Sequence, residues 1–554
     1  MNHQKRVRRQ SKRLAPQPAR PATNDRDAWP RYWQAQNQPW RTEPEIEPIR
    51  QEQLKAYVAV IPDIEKGIYP FKGVKLDRAD VEWLIKNHEN GYRPVDWNDE
   101  RQLEHEGLDL CGADLREVDL QNLPLKRLRG SLALNEWAKA TVEQREMATV
   151  LLEGANLSKA QLQGADLFGV RLNEATLIET QLDTANLRGA QMKQADLFQA
   201  RLEGADLREA QLEGATLMEA RLQGANLMQA QLRGADCYGA RLEGANLVEG
   251  HLEGAKLTVA DLEGAHLQAA YLEKAVLSQA QLQGADLRGA QLQGADLFGA
   301  RLNKAILIEA QLEGINLKAA TLSDRSRVGP KLVDAQWGTT NLAVVDWSQV
   351  KMLGDEVAAH QKEGRNGEKE IIWRRIEYEA AVRANRQLAV ALQAQGLYED
   401  SARFAYRAHI LQRKVLWYQL ASREQENKSQ YGVVWQWLVK GLQKLQKFGS
   451  YVFSWFLDIL AGYGYRPGRT LSWYLLVVLS YATVYFGLEH MAKLHLSFIG
   501  AIIFSVTAFH GRGFFPGGFG YDDPVTILAA TEAVIGLLIE LSFIATFTQR
   551  FFGK

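Results

Sequence analysis

The most regular feature of the chain is a leucine at every fifth position through its middle. From Leu152 to Leu322, 35 positions spaced by five residues are leucine, apart from Met192 and Cys237. Two residues before each of them stands a small residue, almost always alanine. A period of five matches neither the 3.6-residue repeat of an α-helix nor the two-residue repeat of a strand. The pattern therefore predicts a stack of similar coils that all bury the same two side chains.

A second period of ten residues overlies the first. The residue before the leucine alternates between Asp or Asn and Gln or Arg, as in EGADLREAQLEGA. These repeats resemble the pentapeptide-repeat family, whose motif is A-[DN]-L-x-x. The resemblance implies a right-handed quadrilateral β-helix over residues 105–347, with four repeats per coil and Leu and Ala inside. The frame is interrupted near 126–149 by residues with helix-compatible spacing, which predicts a helical insertion, and Trp337 and Trp347 at the end of the frame predict a C-terminal cap.

The five-residue period ends before residue 355, and helix-forming sequence follows. Residues 355–430 predict a helical hairpin that turns at Gln395-Gly396 and resembles a single tetratricopeptide-type unit. Its expected role is coupling or oligomer packing. In its second helix, four apolar residues share one face: Phe404, Ala408, Leu411 and Val415.

Residues 432–465 mix Trp and Tyr with Lys, which is typical of an amphipathic helix at a membrane surface. A buried cytosolic helix is the alternative. Residues 471–488 then carry no charge, and as a helix they extend about 27 Å. A second long apolar segment begins at Val525. Between them, LSFIGAIIFSVTAFH is apolar but too short to cross a bilayer, so we expect it to enter and leave from one side.

The order of span, short helix, glycine-containing loop and span over 466–554 resembles the pore of two-transmembrane potassium channels. It resembles more narrowly the bacterial proteins that fuse pentapeptide repeats to such a pore. In potassium channels the filter reads T-V-G-Y-G, and the corresponding stretch here reads FHGRG. The resemblance implies these pore and filter candidates: Thr507, Phe509, His510, Gly511, Arg512 and Gly513.

Several roles are open for the polar residues of this region. An Arg512 that faces the conduction axis would repel potassium and favour anions, whereas an Arg512 that points backward would pair with Glu532. Glu532 and Glu540 are costly in lipid, so each is expected to face protein or water. His510 is either a proton-sensitive group or a hydrogen-bonded structural one.

Charge and composition narrow the class of protein. The net charge is zero, but the first twenty residues carry seven Lys or Arg and no acid. We therefore expect a basic disordered tail over 1–50, followed by a mostly helical segment over 51–104. Residues 150–325 hold 23 acidic and 16 basic residues, a net charge of −7 that is small for a mimic of duplex DNA. No nucleic-acid partner is expected.

The chain shows no signature of an enzyme. Its two cysteines lie inside the repeats, and the sequence has no phosphate-binding glycine loop, metal-spaced His/Cys cluster or nucleophile elbow. No cofactor and no metal are expected.

The sequence thus predicts a multidomain protein with a β-helix, an α-helical hairpin and an α-helical membrane pore domain. Arg466 and Arg469 before the first span, and Arg550 and Lys554 after the second, favour cytoplasmic N- and C-termini in a bacterial inner membrane. The predicted function is an oligomeric ion channel, which the resemblance implies is a homotetramer. Its cytosolic repeats are expected to act as a sensing or docking domain. Its expected partners are the lipid bilayer, permeant inorganic ions and an unidentified cytosolic protein or ligand. The alternative is a non-conducting, membrane-anchored scaffold.

Overall fold

The structure is a computed structural model that describes residues 19–63, 65–88, 107–132, 134–361, 368–421, 433–488, 497–511 and 524–551. The chain divides into two compact units. The first comprises Met1–Pro330 and Ala335–Val345, and the second comprises Lys331–Asp334 and Asp346–Lys554.

Three short helices open the first unit: α1 (Ala28–Ala35), α2 (Pro48–Val58) and α3 (Arg78–Asn87). Helix α1 lies inside the segment that the sequence predicts to be a disordered tail. The difference has a physical reason, because Trp29 and Trp33 of α1 are buried and supply the apolar contacts that a tail lacks. The basic residues up to 18 lie outside the described residues.

The repeats form a stack of coils. Parallel bridges join residues twenty positions apart, such as Leu151 with Arg171 and Asn156 with Thr176, and recur every five residues. One coil is therefore twenty residues, or four repeats. Each of these bridges is isolated rather than part of a longer strand, so the described repeats consist of turns and bridges. The leucines and alanines of the repeat are buried inside the coils.

Two insertions interrupt the stack. Asp114 bridges to Leu151, which is 37 residues later, so seventeen residues are added to one coil. They contain α4 (Leu134–Trp137) and α5 (Val142–Ala148). The sequence places the start of this insertion at 126, but Arg129 still bridges to Asp109 and Asp166, because the coil pattern continues to that point.

The second insertion lies near the end of the stack. Gln311 bridges to Gln336, 25 residues later, so five residues are added to that coil. Beyond it, Trp337 is buried and a 3₁₀ turn follows at Leu342–Val344. The large side chain thus fills the interior at the end of the repeat frame.

The second unit is helical. A 3₁₀ turn at Trp347–Gln349 precedes α6 (Gly354–His360). Helices α7 (Glu368–Ala394) and α8 (Tyr398–Ala421) then form a hairpin around Gly396, whose φ is 78°. Only glycine adopts such a backbone without strain. The predicted apolar face of the second hairpin helix is confirmed, since its four residues are all buried: Phe404, Ala408, Leu411 and Val415.

Four helices complete the chain: α9 (Val433–Ala461), α10 (Pro467–Gly487), α11 (Phe498–Phe509) and α12 (Pro524–Phe551). Helices α10 and α12 contain segments of 20 and 21 residues that are long and apolar enough to cross a membrane. Only 28% and 22% of these segments are buried inside the protein. Their apolar side chains therefore face outward, unlike those of a soluble core helix.

Candidate functional site

Helices α10, α11 and α12 pack into a small unit, which we call the three-helix unit. Its core contains Tyr485 from α10, Phe504 from α11 and Val525 from α12. The rings of Tyr485 and Phe504 meet edge to face, with their centroids 4.8 Å apart. The short helix is thus held between the two longer ones by aromatic packing.

A carboxylate lies at the centre of this unit. Glu532 of α12 is fully buried. One of its oxygens accepts a hydrogen bond from the Tyr485 hydroxyl at 2.8 Å, and the other is hydrogen-bonded to the Ser505 hydroxyl. All three helices therefore contribute to one buried polar cluster, in which both carboxylate oxygens have partners.

The Ser505 hydroxyl has two acceptors but only one proton. Besides Glu532, it lies 2.9 Å from the carbonyl oxygen of Val478 in α10. Ser505 can donate to one of them at a time. A protonated Glu532 would donate to Ser505 and leave the serine proton for Val478, so the hydrogen-bond pattern depends on one proton.

The end of α11 lies very close to α12. Phe509 is fully buried, and its ring meets Tyr474 of α10 edge to face at 4.8 Å. A Cβ atom added to Gly536 of α12 would lie 2.0 Å from the Phe509 carbonyl oxygen. Only glycine fits at this contact, so the position of α11 depends on Gly536.

His510 and Gly511 follow at the exposed end of α11. The Nδ1 atom of His510 lies 2.8 Å from the Val506 carbonyl oxygen, and Nε2 lies 3.3 Å from Oε1 of Glu540. A carbonyl accepts only, so Nδ1 carries a proton, and the contact with Glu540 is an ion pair when Nε2 is protonated as well. Gly511 ends the helix with a φ of 66°, and its N–H donates to the Ala508 carbonyl at 2.9 Å.

The structure brings some of the predicted site residues together. His510 meets Glu540, whereas Glu532 meets two hydroxyls that the sequence analysis did not name. Thr507 turns its hydroxyl back to the Phe504 carbonyl of its own helix at 2.8 Å. Arg512 and Gly513 lie outside the described residues, and with them the predicted pair of Arg512 and Glu532.

Three residues of this site were missed: Tyr485, Ser505 and Gly536. A lone glycine in an otherwise apolar helix is a signal of close helix approach, and it would have identified Gly536. A serine and a tyrosine within apolar segments are a weaker signal, because a hydroxyl in a helix can also bond to its own backbone.

The described residues contain no group of three or more His, Cys, Asp or Glu side chains that could hold a metal ion. Both cysteines are buried and free. Burial raises the pKa of the Cys237 thiol to about 12, so this cysteine is a packing residue rather than a nucleophile.

The outer surface of the coils mixes charges. Arg233 lies 3.1 Å from Glu253, and Lys256 lies 3.2 Å from Asp236, each pair spanning one coil. His251 stacks on Tyr271 at 4.4 Å between ring centroids. Basic side chains are thus interspersed among acidic ones, which differs from the continuous negative surface of a duplex.

Comparison with known proteins identifies the five-residue repeats. The family described as pentapeptide repeats (8 copies) matches residues 150–173, 165–204, 195–234, 235–268, 260–297 and 285–324. HetL, a pentapeptide repeat protein involved in heterocyst differentiation regulation from the cyanobacterium Nostoc sp., is 31% identical over 43% of this chain and 95% of its own. The chain belongs to the pentapeptide-repeat proteins.

Other solved structures are similar to part of the chain. QnrB1, a plasmid-mediated fluoroquinolone resistance protein, is 20% identical over 36% of this chain and 93% of its own, with a TM-score of 0.20. Rfr23 from the cyanobacterium Cyanothece is 22% identical over 41% of this chain and 90% of its own, with a TM-score of 0.09. The TM-score to HetL is 0.18. No curated protein matches the chain.

The pentapeptide-repeat match ends at residue 324. The three-helix unit lies beyond it, outside the residues that the family model matches.

Proposed function

We propose that this pentapeptide-repeat protein is an oligomeric membrane ion channel, with α10 and α12 as spans and α11 as a re-entrant pore helix. In this proposal the right-handed β-helix is cytosolic and senses or docks a partner. Four copies surround one conduction path in a bacterial inner membrane. The segment that corresponds to the filter reads FHGRG in place of T-V-G-Y-G, so the proposal assigns no selectivity for potassium over other ions.

One observation carries the proposal: a helix too short to cross a bilayer is anchored between two helices that are long enough. Helix α11 has twelve residues, and its Ser505 shares the buried Glu532 cluster with α10 and α12. Gly511, two residues after the end of α11, has a left-handed conformation. Backbone that leaves a helix at membrane depth must be buried in protein or line water. A pore would supply the water that such backbone needs.

The topology follows from charge. Arg466 immediately precedes α10, Arg469 lies in the first turn of α10, and Arg550 lies near the end of α12. The excess of basic residues at both ends favours the cytoplasm for both termini.

A specific observation favours the alternative, a non-conducting scaffold anchored in the membrane. Phe509 is fully buried against Tyr474 and Gly536 of the same chain. A filter residue of a conducting pore would instead present backbone toward the shared axis. Both readings place α10–α12 in the bilayer, and they differ in whether ions pass.

Flux measurements separate the two readings. We expect the full-length chain, reconstituted in liposomes, to carry potassium, sodium or chloride under voltage, pH or osmotic challenge. Arg512→Gln should change the ratio of cation to anion flux, because it removes one positive charge per subunit from the segment that follows α11 in the sequence. Lys444→Gln is the matched control, since it removes an exposed charge from α9, outside the three-helix unit.

Absence of flux for all three ions, from protein that elutes as a single folded species, would overturn the channel and favour the scaffold. Equal ion ratios for Arg512→Gln and Lys444→Gln would remove Arg512 from the conduction path.

A further inference from the structure

The second unit contains a cavity of about 820 Å³ outside the three-helix unit. Helices α7 and α8 form two of its walls, and the turn Gly464–Arg466 between α9 and α10 forms another. This volume is within the usual range for sites that enclose a small molecule.

The charges that line this cavity are mainly positive. It is lined by Arg386, Arg403 and Arg466, and Glu399 is the acidic residue among the lining side chains. Three guanidinium groups from three separate segments therefore meet at one cavity. Such convergence is costly in the absence of an anion, because like charges repel each other.

Two of these arginines have no carboxylate partner in the described part of the chain. Arg386 donates to the Gln412 side chain at 3.2 Å, and Arg466 lies over the Tyr406 ring at 4.6 Å. Arg403 differs from them, because it pairs with Asp400 at 3.0 Å and also donates to the Trp347 carbonyl oxygen. The cavity thus holds donor capacity that no described side chain uses.

Flat rings line the same cavity. His409 stacks on Tyr463 with centroids 4.8 Å apart and an angle of 15° between the planes, and Tyr465 lies 6.2 Å away. Burial lowers the pKa of His409, and the nearby Arg386 lowers it further, so the imidazole favours its neutral form. A neutral ring beside tyrosines offers a surface on which a planar group can stack.

We propose that this cavity binds a phosphate-bearing ligand. Guanidinium groups bind phosphate oxygens through paired N–H donors, and three of them match a group that carries more than one negative charge. The rings and the volume favour a nucleotide, whose base would stack while its phosphates meet the arginines. A phospholipid headgroup offers the same phosphate chemistry, since Arg466 immediately precedes α10.

The position of the cavity connects it to the start of α10. The Tyr406 hydroxyl, at the cavity wall, donates to Asp458 of α9 at 2.9 Å. Asp458 also accepts from Arg413 of α8 at 2.8 Å and lies 3.6 Å from Arg469 of α10. A ligand here would touch residues of the hairpin and the segment that leads into α10, whether or not α10–α12 conduct ions.

Binding to the full-length chain tests the proposal. The chain is reconstituted in nanodiscs of phosphatidylcholine, and a fluorescent ATP analogue and inorganic phosphate serve as probes. We expect saturable binding of the nucleotide, weakened about tenfold by Arg386→Gln and by Arg466→Gln, since each substitution removes a charged phosphate contact. Arg383→Gln is the matched control, because this arginine lies on the same helix but outside the lining and pairs with Asp334.

A second arm distinguishes the source of the phosphate. Nanodiscs that contain phosphatidylglycerol are compared for lipid retained by the wild type and by the Arg386→Gln/Arg466→Gln variant. If the wild type retains phosphatidylglycerol, the double variant does not, and neither binds the nucleotide, the cavity binds the phosphate of a lipid headgroup. The proposal is overturned if neither nucleotide nor anionic lipid binds, or if both arginine variants bind as the Arg383→Gln control does.

Discussion

At the scale of single residues, buried polar groups decide how the helices of the second unit meet. Glu532 has two hydroxyl partners, and Gly536 leaves room for the Phe509 carbonyl. Asp355 shows the same principle near the start of the unit. It is 5% exposed, and it accepts a hydrogen bond from the backbone N–H of Leu332 at 2.7 Å.

The buried carboxyl of Asp355 should make the stability of the fold depend on pH. Burial raises its pKa to about 6, while the backbone N–H of Leu332 acts in the opposite direction. A carboxyl whose folded pKa exceeds its unfolded value stabilises the fold below the unfolded pKa, near 4, and this stabilisation is lost as the pH rises through about 6. A shift of this size corresponds to about 3 kcal/mol.

We therefore expect Asp355→Asn to raise the melting temperature of the chain at pH 8 by several degrees and to change it little at pH 4. Asparagine keeps an acceptor for Leu332 and carries no charge. Asp346→Asn is the control, because Asp346 is exposed and its hydrogen bonds with Ser348 lower its pKa. Equal effects of Asp355→Asn at pH 4 and pH 8 would show that charge is not the cause.

At the scale of elements, the turn between repeats is the recurring unit of the coil. The second residue after each leucine takes a left-handed backbone, with φ of 63° at Gly224 and 59° at Gln229 in the next repeat. Glycine is thus favoured at this position but not required. The larger residues at many of these positions reflect a tolerated backbone strain in those turns.

Substitution at two neighbouring turns should separate backbone strain from crowding. A Cβ atom at Gly224 would meet nothing within 4 Å, so Gly224→Ala adds strain without a clash. We expect it to destabilise the coils by about 1 kcal/mol. Gln229→Ala keeps a Cβ in the same conformation, so its effect should be much smaller.

Melting temperatures of the two variants provide the measurement. If the Gly224→Ala and Gln229→Ala variants have the same melting temperature, the left-handed turn does not limit which residue is accepted at that position.

At the scale of the whole molecule, the coil length of twenty residues decides which changes in chain length are tolerated. Bridges join Gln191 to Gln211 and Gln211 to Gln231. Removal of one coil would bring Gln231 next to Gln191, an equivalent residue in an equivalent turn. The two natural insertions also leave the interior of the coils unchanged, since the five-residue frame of buried leucines resumes after each of them.

Deletion of residues 211–230 should therefore leave a folded protein, with a cooperative melting transition and the same trypsin resistance in the repeats. Deletion of residues 211–228 should prevent correct folding of the repeats, because Leu232 and the leucines after it would move two positions out of the interior. Limited trypsin digestion and thermal melting measure both. Equal trypsin sensitivity of the two deletions would contradict a twenty-residue coil.

The interior of the coils, the helical hairpin and the two long apolar helices could be predicted from the amino-acid sequence alone. These features are local or periodic, so the same residue types at fixed spacing produce the same backbone in every repeat. The start of the seventeen-residue insertion was predicted too early, because the leucines of an interrupted coil carry no sign of where the chain leaves it.

Only the tertiary structure decided the polar cluster and the cavity. Glu532 meets Ser505 and Tyr485, which are 27 and 47 residues away in the chain, and no spacing rule connects them. Arg386, Arg403 and Arg466 likewise belong to three separate segments. Helix packing brings such groups together, and packing depends on side-chain shape across the whole interface rather than on any local pattern.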